Sequence, residues 1–575
     1  MAVWNRKTTV SSSDGSPERD QERGKTNFES SSFEAPSDGP VEHKEGTGLH
    51  RGLAARQVSM IAIGGAIGTG LIIGTGKALA QAGPAAILIS YTLVGMLVFL
   101  VMAALGEMAA WLPIAGGFSA YAARFVDPAL GFSLGYTYWF KYIITTPNQL
   151  TAAALVIQYW CPPERVNPGV FIAVFLVVII TINYLGIRFF GEFEFWLSSI
   201  KVLVICGLIL LSLILALGGG PDHDRKGFRY WQKPGAFKPY IKTGSAGIFL
   251  GVWSSMINAV FAYLGTELVG VTVGEAQNPR KTVPRAIKLT FYRIFVFYVL
   301  SVLLLGMNVP YNSKQLAFAA AKSNSASASP FVVAISLAGI KTLPGFINGC
   351  ILIFVFSASN SDLYIASRTM HGLAIKGQAP AFLGRTDARG VPVYALGLSA
   401  SFCCLAFMNV ADDAKVVFSY FVNLVTIFGL LTWISILASH IAFHRARLAQ
   451  KVPDSAMPYR APLGVWGSYV ALFFCILIAL TKNFSVFVPS PTTYGAFDYK
   501  NFITGYLGIP LYLAMIVGYK AARKTKGVRA DEADLWTGKA EIDRDEAWWI
   551  AKAAEKKVGM RDRGWVYRHF IGWLF

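Results

Sequence analysis

From about residue 54 onward, short polar clusters separate long apolar runs. The runs are 54–80, 85–112, 129–159, 169–187, 193–217, 246–276, 286–308, 331–360, 391–410, 415–443, 465–482 and 502–522. Each is near the ~20 residues that a membrane-spanning helix needs. The pattern predicts an all-α integral membrane fold of about twelve transmembrane helices, because only helices and closed barrels satisfy their backbone in lipid. Residues 1–50 are Ser-, Glu- and Gly-rich, with almost no apolar content, and read as a disordered tail. The chain then divides into a transmembrane domain over 51–522 and a C-terminal tail over 523–575.

Two runs break the helical habit. Residues 63–77 read I-G-G-A-I-G-T-G-L-I-I-G-T-G-K, and 259–274 read A-V-F-A-Y-L-G-T-E-L-V-G-V-T-V-G. Each glycine costs a helix interior roughly 1 kcal/mol relative to Ala. Backbone released from helix inside a bilayer must line a cavity or find protein partners. A Gly-rich span is also explained by a close helix–helix contact of the small-xxx-small kind. Two broken spans at corresponding places in two halves favour an inverted-repeat carrier over that alternative. Where the first helix restarts, at Gly68, Thr69 and Gly70, bare N–H groups and the positive dipole end suit an anionic group such as a carboxylate. The second break carries a carboxylate of its own, Glu267.

Composition agrees. The 575 residues are 54% hydrophobic and 15% charged, with a mean hydropathy of +0.47, which excludes an ordinary soluble domain. The net charge of +19 reads as cytoplasmic loops beside anionic lipid, and no nucleic-acid motif accompanies it. The six cysteines form neither metal spacing nor a disulfide framework, so no metal or cofactor is expected. Arg280, Lys281, Arg285, Lys288, Arg368, Lys376, Arg385, Arg389, Arg445, Arg447, Lys451 and Arg460 fall on one side if both termini are cytoplasmic. The loop 218–245 dissents, with six Lys and Arg residues on the outer side. The tail after Tyr519 alternates charge with tryptophans and reads equally as a surface-lying amphipathic segment or a plain cytosolic tail.

Ionisable residues at membrane depth are costly and point to function, or else to structural ion pairs and snorkelling side chains. The candidates singled out are Glu107, Lys141, Lys201 and Glu267 within the runs and Asp362 just past the eighth. Lys201, at mid-span, and Glu267, at a break, are the stronger functional candidates. A buried lysine can load and release a proton, and Glu107 is a second candidate for that role. Asp362 closes the polar patch 357–362 at the end of the eighth run and reads as interfacial.

These residues also carry a resemblance. G-G-A-I-G-T-G-L at 64–71, L-G-E-M-A-A-W-L-P at 105–113, F-V-D-P-A-L-G-F at 125–132, G-E-F-E-F-W at 191–196, G-T-E-L-V-G at 265–270, G-E-A-Q-N-P-R-K-T-V-P-R-A-I at 274–287 and S-N-S-D-L-Y-I-A-S-R at 359–368 are similar to the fungal amino-acid permeases of the amino acid–polyamine–organocation superfamily. The stretches 140–160, 218–231, 472–480 and 502–510 resemble the dicarboxylic members more narrowly. The resemblance implies two inverted five-helix repeats with broken helices 1 and 6, two further C-terminal helices, and a plasma-membrane location with both termini cytoplasmic. It implies proton-coupled uptake of glutamate and aspartate. Position 66 is Ala where the family usually has Thr, and Lys141 and Asn148 replace a small residue and a Glu. The chain ends G-W-L-F without the family's Cys, so no tail palmitoylation is expected.

On this reading the substrate carboxylate sits on Gly68, Thr69 and Gly70, beside Ala66, and the ammonium meets carbonyls at Phe261, Ala262 and Leu264. Glu267 and Thr151 complete the binding set. Lys201 resembles the site where related carriers hold Na⁺, and a titrating lysine there makes this one proton-driven. Lys141, Asn148, Gln149 and Thr151 of the third run are expected to set selectivity, with Asn148 sparing an acidic side chain the repulsion of a Glu. Lys141 is expected two to three turns below the breaks, about 10–15 Å at 1.5 Å per residue, acting as a positive field or pairing with Glu107. The expected partners are the amino-acid substrate, protons and the lipid bilayer. Lys7, Lys25 and Lys44 make ubiquitin ligase machinery a candidate partner of the tails, although a plain solvated tail is simpler. The rival readings are a broad-range or neutral/basic amino-acid permease and a non-transporting sensor. Such sensors carry a longer N-terminal extension than these fifty residues. No nucleophile–base or metal constellation points to an enzyme.

Overall fold

The computed structural model describes residues 68–114, 116–162, 164–268, 279–316, 329–410, 414–488, 497–544, 546–548 and 550–551. Among them the fold is helical, with no strand. A π-turn, Gly70–Gly74, runs straight into Thr75–Ala82, and the two form α1. Then come α2 (Pro84–Trp111), a short α3 (Gly117–Phe125), α4 (Pro128–Ile157), α5 (Pro168–Tyr184), α6 (Ile187–Ala216) and α7 (Gly244–Tyr263). Pro279–Arg293, Ile294–Leu300 and Ser301–Asn308 follow one another as α8. The rest are α9 (Pro330–Leu337), α10 (Leu343–Ile375), α11 (Val393–Cys403), α12 (Ala414–Ala449), α13 (Gly464–Thr481), α14 (Tyr499–Tyr506) and α15 (Gly508–Arg523).

Among the described residues seven helices are long and apolar enough to cross a membrane, and the α14–α15 pair, bent by 43°, makes an eighth. The shortfall from twelve has visible causes. The first run is described only from Gly68 onward, and its expected break before that lies outside the described residues. Two others, α5 and the helix at 393–408, are apolar but short. The 30-residue α4 carries Lys141, Asn148 and Gln149 and is less apolar than α2, α5 and α6.

One boundary differs from expectation. The eighth run is two helices, α9 and α10, not one span ending near 360. Gly339 takes a left-handed turn at φ +78°, and Pro344 starts α10 in its first turn, where a missing N–H costs nothing. Both sides of the turn are apolar, so hydropathy alone runs through it. The consequence is functional, because Asp362 moves from the end of a span to the middle of a 33-residue helix.

At the centre, α4 lies along α10 on one side and α12 on another, while α7 packs against α1 and α2. The start of α4 is fixed locally. Asp127 caps it, accepting from the Ala129 N–H at 2.7 Å, and Pro128 occupies the first helical position. The loop 218–245 folds back onto the α1–α2 corner, where Lys238 N donates to Ala82 O and Ala85 N to Ala236 O. Gly83 sits at that crossing with φ +89°, and a Cβ there would stand 2.9 Å from the Ala236 carbonyl. Some of the loop's dissenting positive charge is neutralised in place, Lys226 by Asp222 and Arg229 by Asp224.

The described part of the C-terminal tail is not free in solvent. Leu535 is fully buried, and Trp111 donates to its carbonyl at 3.1 Å. Arg124 pairs with Asp534, and Arg280 pairs with Asp543 and Glu546. The tail therefore ties α2, α3 and α8 together on one face.

Candidate functional site

At the start of α1 the first backbone bond among the described residues runs from Ile72 N to Gly68 O. The amides of Gly68, Thr69 and Gly70 stand ahead of that rung. On the other side, α7 stops at Tyr263. Leu264 is extended (ψ 144°) and Gly265 is left-handed (φ +94°). Thr266 then turns back, with its N–H and its hydroxyl both donating to the Tyr263 carbonyl. Gly70 makes the meeting possible, because a Cβ there would lie 2.4 Å from the Cα of Ala262. At Gly68 a Cβ would meet nothing within 4 Å among the described residues. The two glycines thus do different work: one admits the second broken helix and the other faces open space.

Between the breaks lies a cavity of about 30 Å³. Its walls are Gly68, Thr69 and Gly70 of the first break and Phe261, Ala262, Leu264 and Gly265 of the second. From α4 come Lys141, Tyr142, Thr145 and Gln149; from α10, Ala358 and Asp362; from α12, Val425. At ~10–15 Å³ per water such a space takes only a few waters. An amino acid enters only when the walls part.

A chain of polar contacts crosses the cavity. Thr69 Oγ1 donates to Gln149 Oε1 at 2.8 Å, and Gln149 Nε2 donates to Asp362 Oδ2 at 3.3 Å. Lys141 forms a close ion pair with Glu267, and both are buried. Glu267 also accepts from the Gly265 N–H at 3.3 and 3.2 Å and from Trp433 Nε1 at 3.3 Å. Its carboxylate therefore fixes the turn of the second break from below and is fully occupied.

Most expected residues meet here: Gly68, Thr69, Gly70, Phe261, Ala262, Leu264, Lys141 and Gln149. Several do not. Ala66 lies outside the described residues. Asn148 and Thr151 are buried on a neighbouring face of α4, off the cavity lining, and their side-chain polar atoms have no partner among the described residues. Glu267 supports the break and does not line the cavity. Lys141 is at the cavity, not two to three turns below it, and its partner is Glu267, not Glu107. Glu107 instead accepts from the Ala461 N–H at 2.8 Å and lies 3.5 Å from His440 Nε2. Lys201 sits away from the cavity, 3.8 Å from Glu194 Oε1, which also accepts from Ser357 at 2.6 Å and Ser198 at 3.2 Å.

Sequence reasoning missed Thr145 and Glu194 and set Asp362 aside as interfacial. Glu194 was visible as a second carboxylate in G-E-F-E-F-W, seven residues before Lys201 and so two helical turns away. Thr145 follows from Lys141 by the i,i+4 rule and precedes Gln149 by the same step. Asp362 was hidden by the misplaced boundary.

A helical membrane bundle in which a helix breaks beside a second, glycine-rich helix over a polar cavity is the build of a secondary carrier. The comparisons agree: the chain belongs to the amino acid permease family, whose model matches residues 57–530. It is 55% identical over 537 residues to the dicarboxylic amino acid permease of Saccharomyces cerevisiae, covering 92% of this chain and 87% of that one. It is 44% identical over 522 residues to an uncharacterised amino-acid permease of Schizosaccharomyces pombe, covering 90% and 97%. Among solved structures, a manganese transporter of Eremococcus coleocola shares the fold at 13% identity, with a TM-score of 0.51 over 86% of this chain and 95% of that one. The protein is thus a multi-pass membrane amino-acid permease.

Proposed function

We propose that the protein is a plasma-membrane symporter that imports glutamate and aspartate together with protons, with both termini in the cytoplasm. The observation that carries the reading is the single cavity between the two breaks. It offers the backbone of Gly68, Thr69 and Gly70 on one wall and helix-end carbonyls on the other. An α-amino acid has a carboxylate for the first and an ammonium for the second. The substrate carboxylate rests on Gly68, Thr69 and Gly70, and the ammonium on the Phe261–Leu264 carbonyls. The side chain then points toward Gln149, Thr145 and Asp362. The 55% identity to a dicarboxylic permease supports the acidic class.

Proton coupling is first sought at Lys201, buried beside Glu194 with Ser357 at the same carboxylate. Lys201→Ala is expected to lose concentrative uptake and keep exchange. The direct test is uptake of labelled glutamate by permease-deficient fungal cells expressing the chain, with every other amino acid as competitor. Aspartate should compete strongly, and proline and lysine weakly. Equal competition by basic or neutral amino acids favours the broad-range alternative. Binding without any uptake favours a sensor.

A further inference from the structure

The buried carboxylates of the described spans are not alike. Glu267 is held by Lys141, a backbone N–H and an indole. Glu194 is held by Lys201 and two serines. Glu107 is held by a backbone N–H and a histidine. Asp362 has among the described residues one donor, the Gln149 amide at 3.3 Å, and no cation in contact. It is also the one of the four whose side chain borders the cavity. Gln149 has its orientation set by Thr69, whose hydroxyl donates to Oε1 and leaves Nε2 for Asp362.

The charge count at the cavity makes this significant. Lys141 and Glu267 cancel as a pair. An ionised Asp362 then leaves the lining with one net negative charge. Glutamate and aspartate arrive with two carboxylates and one ammonium, also one net negative charge. Two like charges in a dry cleft repel strongly, because screening there is weak. A protonated aspartic acid reverses the effect, since its O–H becomes a hydrogen-bond donor to a carboxylate, one of the stronger pairings available.

Resting on the reading above as an importer of acidic amino acids, we propose that Asp362 determines specificity for the side-chain carboxylate and carries a proton in with it. From outside, a proton binds the Asp362 carboxylate. The resulting carboxyl donates its hydrogen bond to the substrate side chain. On the cytoplasmic side substrate and proton both leave, and the carboxylate returns to accepting from Gln149. One proton enters per acidic substrate at this position, and nothing else is consumed. The groups facing Asp362 are Lys141, Tyr138, Tyr142 and Gln149 of α4, Lys201 and Glu194 of α6, and Cys403 at the end of α11. Lys201 and Glu194 act on every substrate alike; Asp362 acts on the acidic ones.

The test is binding of glutamate and of glutamine to the purified full chain across mildly acid to neutral pH, followed by thermal shift. Both side chains keep their charge state over that range, as a glutamate carboxyl titrates near 4.3. Glutamate affinity should weaken by up to about tenfold per pH unit as Asp362 ionises, while glutamine affinity stays nearly flat. Asp362→Asn, which fixes a neutral donor, should flatten the glutamate profile and lower by one the number of protons taken up per glutamate. If that variant does not fold, the paired wild-type profiles decide alone. Parallel pH profiles for glutamate and glutamine overturn the proposal, as does an Asp362→Asn variant with wild-type pH dependence. A wild type that binds neither glutamate nor aspartate overturns instead the acidic-substrate reading beneath it.

Discussion

Gly70 and Gly68 are adjacent in role on the sequence and opposite in the structure. Gly70→Ala puts a methyl into the Ala262 backbone, where neither partner can yield. It should abolish uptake and lower surface expression. Gly68→Ala meets nothing within 4 Å and should keep the fold while raising the apparent KM. Uptake measured beside surface labelling separates the two, and equal losses would show that the close approach at Gly70 is not what limits the site. The Lys141–Glu267 pair makes a second residue-scale prediction. Removing one member strands a buried charge, at a cost of about 3–5 kcal/mol. Lys141→Met should therefore unfold the protein more readily in detergent than Lys141→Met combined with Glu267→Gln; a double variant no better than the single one would contradict the pairing. The sequence showed that Lys141 and Glu267 were both at membrane depth. It did not show that they touch, because they are 126 residues apart and no periodicity links them.

At the scale of the element, α4 presents Lys141, Thr145 and Gln149 to the cavity, one turn apart along a single stripe. Asn148 and Thr151 lie off that stripe and are buried without partners among the described residues. Gln149→Leu and Thr145→Val should therefore raise the KM for glutamate several-fold. Asn148→Leu, which removes an unsatisfied buried amide, should be near neutral in KM and neutral or stabilising in thermal unfolding. A loss of glutamate selectivity in Asn148→Leu comparable to that of Gln149→Leu would show that α4 turns its other face to the substrate. The run 129–159 was legible as a helix, and the polar cluster within it marked the depth of the site. Which polar residue faces inward depends on helix rotation, which is set by packing against α10 and α12 and not by the run itself. The same limit explains α9 and α10. A glycine turn between two apolar segments leaves no mark in hydropathy, and that one slip hid Asp362.

Across the whole molecule, the twelve-run pattern and the paired glycine breaks were enough to read a broken-helix carrier, since the bilayer allows few other solutions. The tail was not legible, because its alternating charges fit a membrane surface as well as a protein one. In the structure those charges meet partners: Arg124 with Asp534, Arg280 with Asp543 and Glu546. Truncation after Lys526 exposes Trp111 and strands Arg280, and should lower thermal stability in detergent; an unchanged transition would show that the tail only rests there. Partial burial pushes the Asp534 carboxyl up, but the Thr537 N–H and the Arg124 guanidinium outweigh it and bring it to about 2. A depressed carboxyl contributes above its unfolded value of about 3.9 and loses that contribution as pH falls toward the folded one. The Arg124 contact is therefore insensitive to pH across the neutral and mildly acid range. The central claim, proton-coupled import of acidic amino acids through the cavity between the two breaks, is tested most directly with the full chain in proteoliposomes. An imposed inward proton gradient should drive labelled glutamate above its equilibrium level, with matching acidification of the lumen and displacement by aspartate. Uptake indifferent to the gradient, or displaced equally by proline or lysine, would contradict the account.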